Sequence, residues 1–159
     1  LQPFSYTLGS EKFVISRDQF SMKLDSSALY PDSKNPQLFN KELLLSLFEG
    51  FIYDGNDEDE AELAKIAGSN PNAILGTVYD QDISSEIRAN AVRILIETGK
   101  GNLIQTLFEY SYTQKYPIIR MGLLYGLIEI GLREMISLMC NDPDQRISSA
   151  AFSYLQNNG

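Results

Sequence analysis

Three segments of this chain carry the same ladder: Ile87, Ala91, Leu95, Gly99; then Ile119, Leu123, Leu127, Gly131; then Ile147, Ala151, Leu155, Gly159. Residues at i, i+4 and i+8 lie along one face of an α-helix, so each ladder is the apolar stripe of a helix of about three turns. The glycine at the fourth rung falls just past the last stripe residue, where a left-handed C′ position ends a helix. Helices built to one plan at intervals of 32 and 28 residues point to a stacked repeat, since one such stripe cannot bury itself alone. A fourth, weaker copy reads Leu43, Leu47, Phe51, Gly55, after a longer interval.

The segments between the ladders supply the partners. Ser84 or Ser85 caps a helix over 86–98, and 102–112 forms its mate with Leu103, Ile104, Leu107 and Phe108 inward. Pro117 opens the second ladder helix at its first turn, and 132–140 is its short mate. The turn Asn141-Asp142-Pro143-Asp144 leads into a final helix over 145–156. Upstream, Asp57 to Glu60 place four carboxylates in the first turn of a helix over 57–67, where the helix dipole favours negative charge. Gly68-Ser69-Asn70-Pro71 stops it, and 72–79 makes another short helix.

Residues 1–36 differ in texture. Phe4, Tyr6 and Leu8 alternate with Ser5 and Thr7, Gly9-Ser10 follows, and then Phe13-Val14-Ile15. This period of two, broken by a turn, predicts a small β-hairpin or irregular segment, with 25–36 a linker. The division expected is therefore 1–36 for that segment and 37–159 for a helical repeat domain. The chain opens on Leu1 rather than methionine and closes on the last ladder glycine. Both ends suggest part of a larger chain or complex, with 145–156 ending at a fragment boundary or forming an end cap.

The stretch Asp142-Pro143-Asp144-Gln145-Arg146-Ile147-Ser148-Ser149-Ala150-Ala151 resembles the start of a HEAT-like repeat, and Ser85-Glu86-Ile87-Arg88-Ala89-Asn90-Ala91-Val92 is similar to it. The turn carboxylate stands five residues before the ladder isoleucine in both, as Asp82 and Asp142; the middle copy has Gln114 there. The resemblance covers about 82–159. It implies a mainly α fold, a HEAT-like α-solenoid in which antiparallel helix pairs form a right-handed superhelix. It also implies that turn carboxylates and helix arginines pair between adjacent repeats, a role open here to Asp82, Arg88, Arg120 and Asp142. Ser148 replaces the arginine in the last copy. Such arrays serve many functions, so the resemblance speaks for architecture and not for activity.

Chemistry is constrained by what the sequence lacks. There is no histidine and only one cysteine, Cys140, which removes Ser-His and Cys-His nucleophiles and any zinc site of sulfur or imidazole. No enzymatic role, metal or cofactor is expected. The run Asp54-Gly55-Asn56-Asp57-Glu58-Asp59-Glu60 fails as an EF-hand loop, because the twelfth position is Lys65 and the glycine is at the second. It reads instead as a solvated turn feeding a helix N-terminus, with a looser acidic site the lesser option.

The charge of −8 disfavours nucleic acid and anionic membranes and favours a basic partner. The longest wholly apolar runs are far too short to span a bilayer. One cysteine leaves the compartment open, with a lean toward the cytoplasm. Arg88, Arg93 and Arg120 read as structural pairs with Asp82, Glu86 or Glu97, and Met121, Met135 and Met139 as core filling. Of the tyrosine cluster, Phe108 and Tyr110 are assigned to the core, Tyr112 and Tyr116 to the rim.

The function expected is a non-catalytic scaffold or adaptor for protein–protein interaction. Its partner would sit on the concave face lined by second helices, at Gln105, Glu109, Tyr112, Glu134 and Ser137, with the two glutamates drawing a basic surface. The alternatives are a nucleic-acid-binding helical array and a HEAT-like subunit of a bilin lyase.

Overall fold

The computed structural model describes residues 5–8, 11–14, 41–99 and 101–158. The protein is mainly helical. Eight helices lie among the described residues: α1 (Lys41–Asp54), α2 (Asp57–Ser69), α3 (Pro71–Tyr79), α4 (Ser85–Thr98), α5 (Gly101–Ser111), α6 (Pro117–Ile130), α7 (Arg133–Met139) and α8 (Gln145–Asn157). Two four-residue strands, β1 (Ser5–Leu8) and β2 (Glu11–Val14), pair antiparallel with Ser5 opposite Val14 and Leu8 opposite Glu11. The expected turn at 9–10 and linker at 25–36 lie outside the described residues.

Local sequence sets most helix ends. Asn56 accepts from the amides of Glu58 and Asp59 at the start of α2, and Ser84 accepts from Ile87 N at the start of α4. Asp144 does the same for Arg146 N at α8, each side chain answering a donor the first turn leaves unmet. Pro71 and Pro117 open α3 and α6, where a missing N–H costs nothing. Helix α2 runs on through Gly68 to Ser69, two residues past the predicted stop, because the proline that ends it is Pro71 and Asn70 N still reaches Ile66 O.

The ladder glycines do not all behave as predicted. Gly131 (φ 71°) takes the left-handed conformation, and its N–H and that of Leu132 return to Ile128 O and Leu127 O. Gly99 does not: at φ −79°, ψ 175° its backbone is extended. A Cβ at this position would collide with the carbonyl oxygen of Leu95, so close approach, not handedness, requires the glycine there. Gly159 lies outside the described residues. The fourth ladder is out of register: Leu44 and Phe48 are the buried pair of α1, while Leu43 is exposed.

The core follows the stripes. Ile87, Ala91, Leu95, Ile119, Leu123, Leu127, Ile147 and Ala151 are all buried in one cluster that also takes in α1, α2, α3, α5 and α7. Helix α4 packs most extensively on α6, and α6 packs on α8. Between them α5 touches both α4 and α6, and α7 touches both α6 and α8. The α4–α6 crossing is close because two side chains are missing from α6. A Cβ on Gly122 would strike the backbone of Ala89, and one on Gly126 would lie 2.8 Å from Ile96 Cβ. At the other side α1, α2 and α3 all pack on α4, with the Arg93 guanidinium 5.4 Å above the Phe51 ring and Tyr53 donating to Glu86 Oε2 at 3.2 Å.

Candidate functional site

The most organised polar chemistry in the molecule is a pair of buried arginines. Each stands one residue after a ladder isoleucine, on the first turn and a half of its helix, and each is almost wholly buried: Arg88 at 1% and Arg120 at 2% exposure. Arg120 Nε donates to Asp142 Oδ2 at 2.9 Å and Nη2 to Asp142 Oδ1 at 3.1 Å, a two-pronged pair that joins α6 to the turn before α8. Its Nη1 donates to Gln114 O at 2.7 Å, tying α6 to the turn that precedes it.

Arg88 makes the same contacts one unit earlier. Its Nε donates to Val78 O at 2.9 Å in the preceding segment, and Nη2 donates to Gln114 Oε1 at 3.1 Å in the turn before α6. Nη2 also donates to the Tyr110 hydroxyl at 3.2 Å, and Gln81 Nε2 donates to the same oxygen at 3.1 Å. The Tyr79 and Tyr110 rings meet edge to face, 4.4 Å apart. Gln114 thus occupies the place that Asp142 holds in the following unit, with an amide oxygen where the other has a carboxylate.

The expected pairing set is therefore met unevenly. Arg120 and Asp142 come together, and Arg88 reaches the neighbouring turn but finds Gln114 there. Asp82 is a correction. It is exposed and its amide donates to Asp80 Oδ1 at 2.9 Å, while Arg88 donates to Val78, Tyr110 and Gln114 instead. Asp144 N makes the matching bond to Asp142 Oδ1 at 2.8 Å. Asp80 is thus the turn carboxylate of the first unit; it stands five residues before the first residue of α4, where Asp142 stands three before that of α8, and Lys41 binds Asp80 at 2.7 Å.

Tyr112 is a second correction. It is buried, its hydroxyl donates to Leu138 O at 2.9 Å near the end of α7, and its ring lies 5.3 Å from that of Phe108. Burial, and next the Asp142 charge, push its phenol up to about 12. It is a tie between α5 and α7, not a rim residue. Of the other second-helix positions, Gln105 and Glu109 are half-buried and bonded to each other at 2.9 Å. Glu134 and Ser137 are exposed on α7. Burial raises the Cys140 thiol, which keeps it protonated and a poor nucleophile at neutral pH.

Exposed apolar groups gather on α6. Tyr116 occupies the N-cap position without a side-chain capping bond, Ile118 and Tyr125 stand seven residues apart on one face, and Glu129 follows one turn beyond Tyr125. Tyr125 is 52% exposed and Ile118 42%. Lys115 Nζ lies 5.1 Å from the Tyr116 ring centre, so that ring already accepts a cation. Sequence reasoning passed over this face because it sits inside the ladder helix judged to be core. The signal was present: Ile118 and Tyr125 fall outside the i, i+4, i+8 stripe.

Among the described residues the cations are largely spent on structure. Arg93 binds Glu97 at 3.0 Å, Arg146 binds Asp144 at 2.8 Å, and Arg133 Nη1 donates to Asn158 O at 2.8 Å. Among the described residues no group of three or more histidine, cysteine, aspartate or glutamate side chains is placed to hold a metal ion, and no helix is long and apolar enough to cross a membrane. Comparison with protein-family models, with curated proteins and with solved structures returned no match.

Proposed function

We propose that the chain is a HEAT-like α-solenoid, a short stack of antiparallel helix pairs led by an N-terminal β-hairpin, and that it works as a non-catalytic scaffold binding a basic protein. The sequential packing of α4, α6 and α8, with α5 and α7 laid alongside, supports the stack. So does the arginine link from one helix to the next turn, used twice at equivalent positions. A charge of −8 with no histidine favours binding of a basic surface over catalysis. Among the described residues Arg88 and Arg120 are buried and Lys41, Arg93 and Arg146 are ion-paired, which leaves fewer cations there to draw a phosphate backbone.

The observation that carries the reading is the exposed α6 face of Ile118 and Tyr125 with Glu129 beside it. Large apolar side chains clustered on a surface mark interaction sites. Tyrosine faces bordered by a carboxylate suit lysine or arginine side chains, which gain both cation–π and ionic contact. Glu109 and Glu134 on the second helices extend the acidic field that would steer such a partner.

The test compares the protein with an Ile118→Ser/Tyr125→Ser variant in affinity capture from the source organism, followed by titration of the purified partner. The expected result is a basic protein held by the parent, released by raised salt, and bound at least tenfold more weakly by the variant at unchanged melting temperature. Equal capture by both proteins would remove this face. A partner that is a nucleic acid would remove the reading.

A further inference from the structure

The same three positions carry different chemistry on the three ladder helices. Counted from each ladder isoleucine they are Glu86, Arg93 and Glu97 on α4, Ile118, Tyr125 and Glu129 on α6, and Arg146, Ser153 and Asn157 on α8. Spacings of seven and then four residues put each set on one side of its helix. On α4 all three are half-buried, and the structure shows what covers them. Tyr53 at the end of α1 donates to Glu86 Oε2 at 3.2 Å, and the Phe51 ring centre lies 5.4 Å from the Arg93 guanidinium. Arg93 Nη1 donates to both oxygens of Glu97, at 3.0 and 3.2 Å, and Nη2 stands 3.8 Å from Glu60 Oε2 of α2.

That arrangement has three members: an aromatic ring, a guanidinium, and a carboxylate one turn away. On α4 the helix supplies the guanidinium and the carboxylate, and the covering segment supplies the ring. On α6 the helix supplies the ring of Tyr125 and the carboxylate of Glu129. The third member does not come from this chain: among the described residues no cation pairs with Glu129, and the one cation of α6, Arg120, is held by Asp142. Helices α6 and α8 are both exposed at these positions, yet α8 is polar at all three and α6 is not. The open side of α6 also lies between two neighbours already in place, since α4 and α8 both pack on this helix.

We propose that the basic partner covers α6 with a helix that sets an arginine between the Tyr125 ring and Glu129, and an aliphatic side chain seven positions away against Ile118. Arginine is the cation, rather than lysine, because a planar guanidinium rests on a ring face while it donates to a carboxylate. Arg93 meets Phe51 and Glu97 in the same way. Ile118 and Tyr125 stand about 10 Å apart along the helix axis, a spacing that a facing helix matches at the same interval. This inference rests on the basic-partner reading and narrows it.

The probe is a monomeric, alanine-rich helical peptide with leucine and arginine seven positions apart, titrated into the labelled full chain and followed by amide and tyrosine-ring chemical shifts. Saturable shifts are expected at Ile118, Tyr125 and Glu129. Glutamine in place of the peptide arginine should weaken binding about tenfold, the sum of one exposed ion pair and one exposed cation–π contact. Lysine in that place should weaken it about threefold. In the chain, Glu129→Gln should cost about threefold, and Glu42→Gln, an equal change of charge on α1, should cost nothing. Equal binding of the arginine and lysine peptides, an equal loss from the two chain variants, or no shift on α6 would each overturn the inference. The basic-partner reading falls only to the capture experiment, so the two failures are read separately.

Discussion

Replacing Asp142 by alanine should be among the most damaging single changes to this chain. The carboxylate accepts three hydrogen bonds: from Arg120 Nε at 2.9 Å, from Arg120 Nη2 at 3.1 Å and from Asp144 N at 2.8 Å. The pair is out of water, with side-chain exposures of 2% for Arg120 and 0% for Asp142. Truncation leaves the guanidinium charge buried with its carboxylate gone, a change that costs about 3–5 kcal/mol. The lost bond to the half-buried Asp144 amide adds about 1 kcal/mol or less. A total of about 4 kcal/mol corresponds to a fall of about 8–16 °C in melting temperature for a domain of this size.

Urea unfolding followed by far-ultraviolet circular dichroism measures the loss directly. The explanation also fixes a second result. If the penalty is the stranded charge, then Arg120→Met together with Asp142→Ala should be more stable than Asp142→Ala alone, since an apolar side chain of similar length removes what was stranded. A loss under about 1 kcal/mol for Asp142→Ala would refute the reasoning. So would a double variant that simply adds the two single losses.

Three other outcomes follow from the same packing. Gln114→Glu places a carboxylate 3.1 Å from Arg88 Nη2 and should raise the melting temperature by a few degrees, read by calorimetry; a drop would show that Arg88 is better served by a neutral partner. Gly122→Ala, which sets a methyl against the Ala89 backbone, should cost about 1–3 kcal/mol or more in urea unfolding, where an open helix site would gain stability from the same change. Tyr112 has its phenol pushed from 10.0 to about 12 by burial, so its neutral form contributes stability in full below pH 10. That contribution is lost as the pH rises from 10 through about 12, because the unfolded chain ionises first. Tyr112→Phe should flatten the fall in melting temperature across that window, and an unchanged slope would place the titration elsewhere.

Much of the architecture was readable because period and punctuation are local. The ladders at Ile87, Ile119 and Ile147, the caps at Ser84 and Asp144, and Pro117 at the head of α6 each act within one turn of helix, and each stands where the sequence put it. What failed depends on distance through space. Leu43 and Leu44 both fit a helical period, and only the packing of α2 and α4 on α1 decides that Leu44 faces inward. Gly99 and Gly131 look alike in the chain, yet one turns left-handed and the other avoids the Leu95 carbonyl. The Arg120–Asp142 link was implied by the resemblance to HEAT-like repeats. Its counterpart was assigned to Asp82, because in a loop of equal length the turn carboxylate stands two residues farther from the helix, at Asp80. Tyr112 was placed on the rim because nothing in its neighbours signals that Leu138 O lies above it.

Distances between spin labels at Glu97, Glu129 and Asn157, equivalent positions at the ends of α4, α6 and α8, bear most directly on the stack. Packed helices lie about 8–10 Å apart. Progressive stacking predicts that the Glu97–Asn157 separation is close to the sum of Glu97–Glu129 and Glu129–Asn157, about twice either one. Three nearly equal separations would mean that the helices close on a common centre, and the solenoid would be the wrong description of this chain.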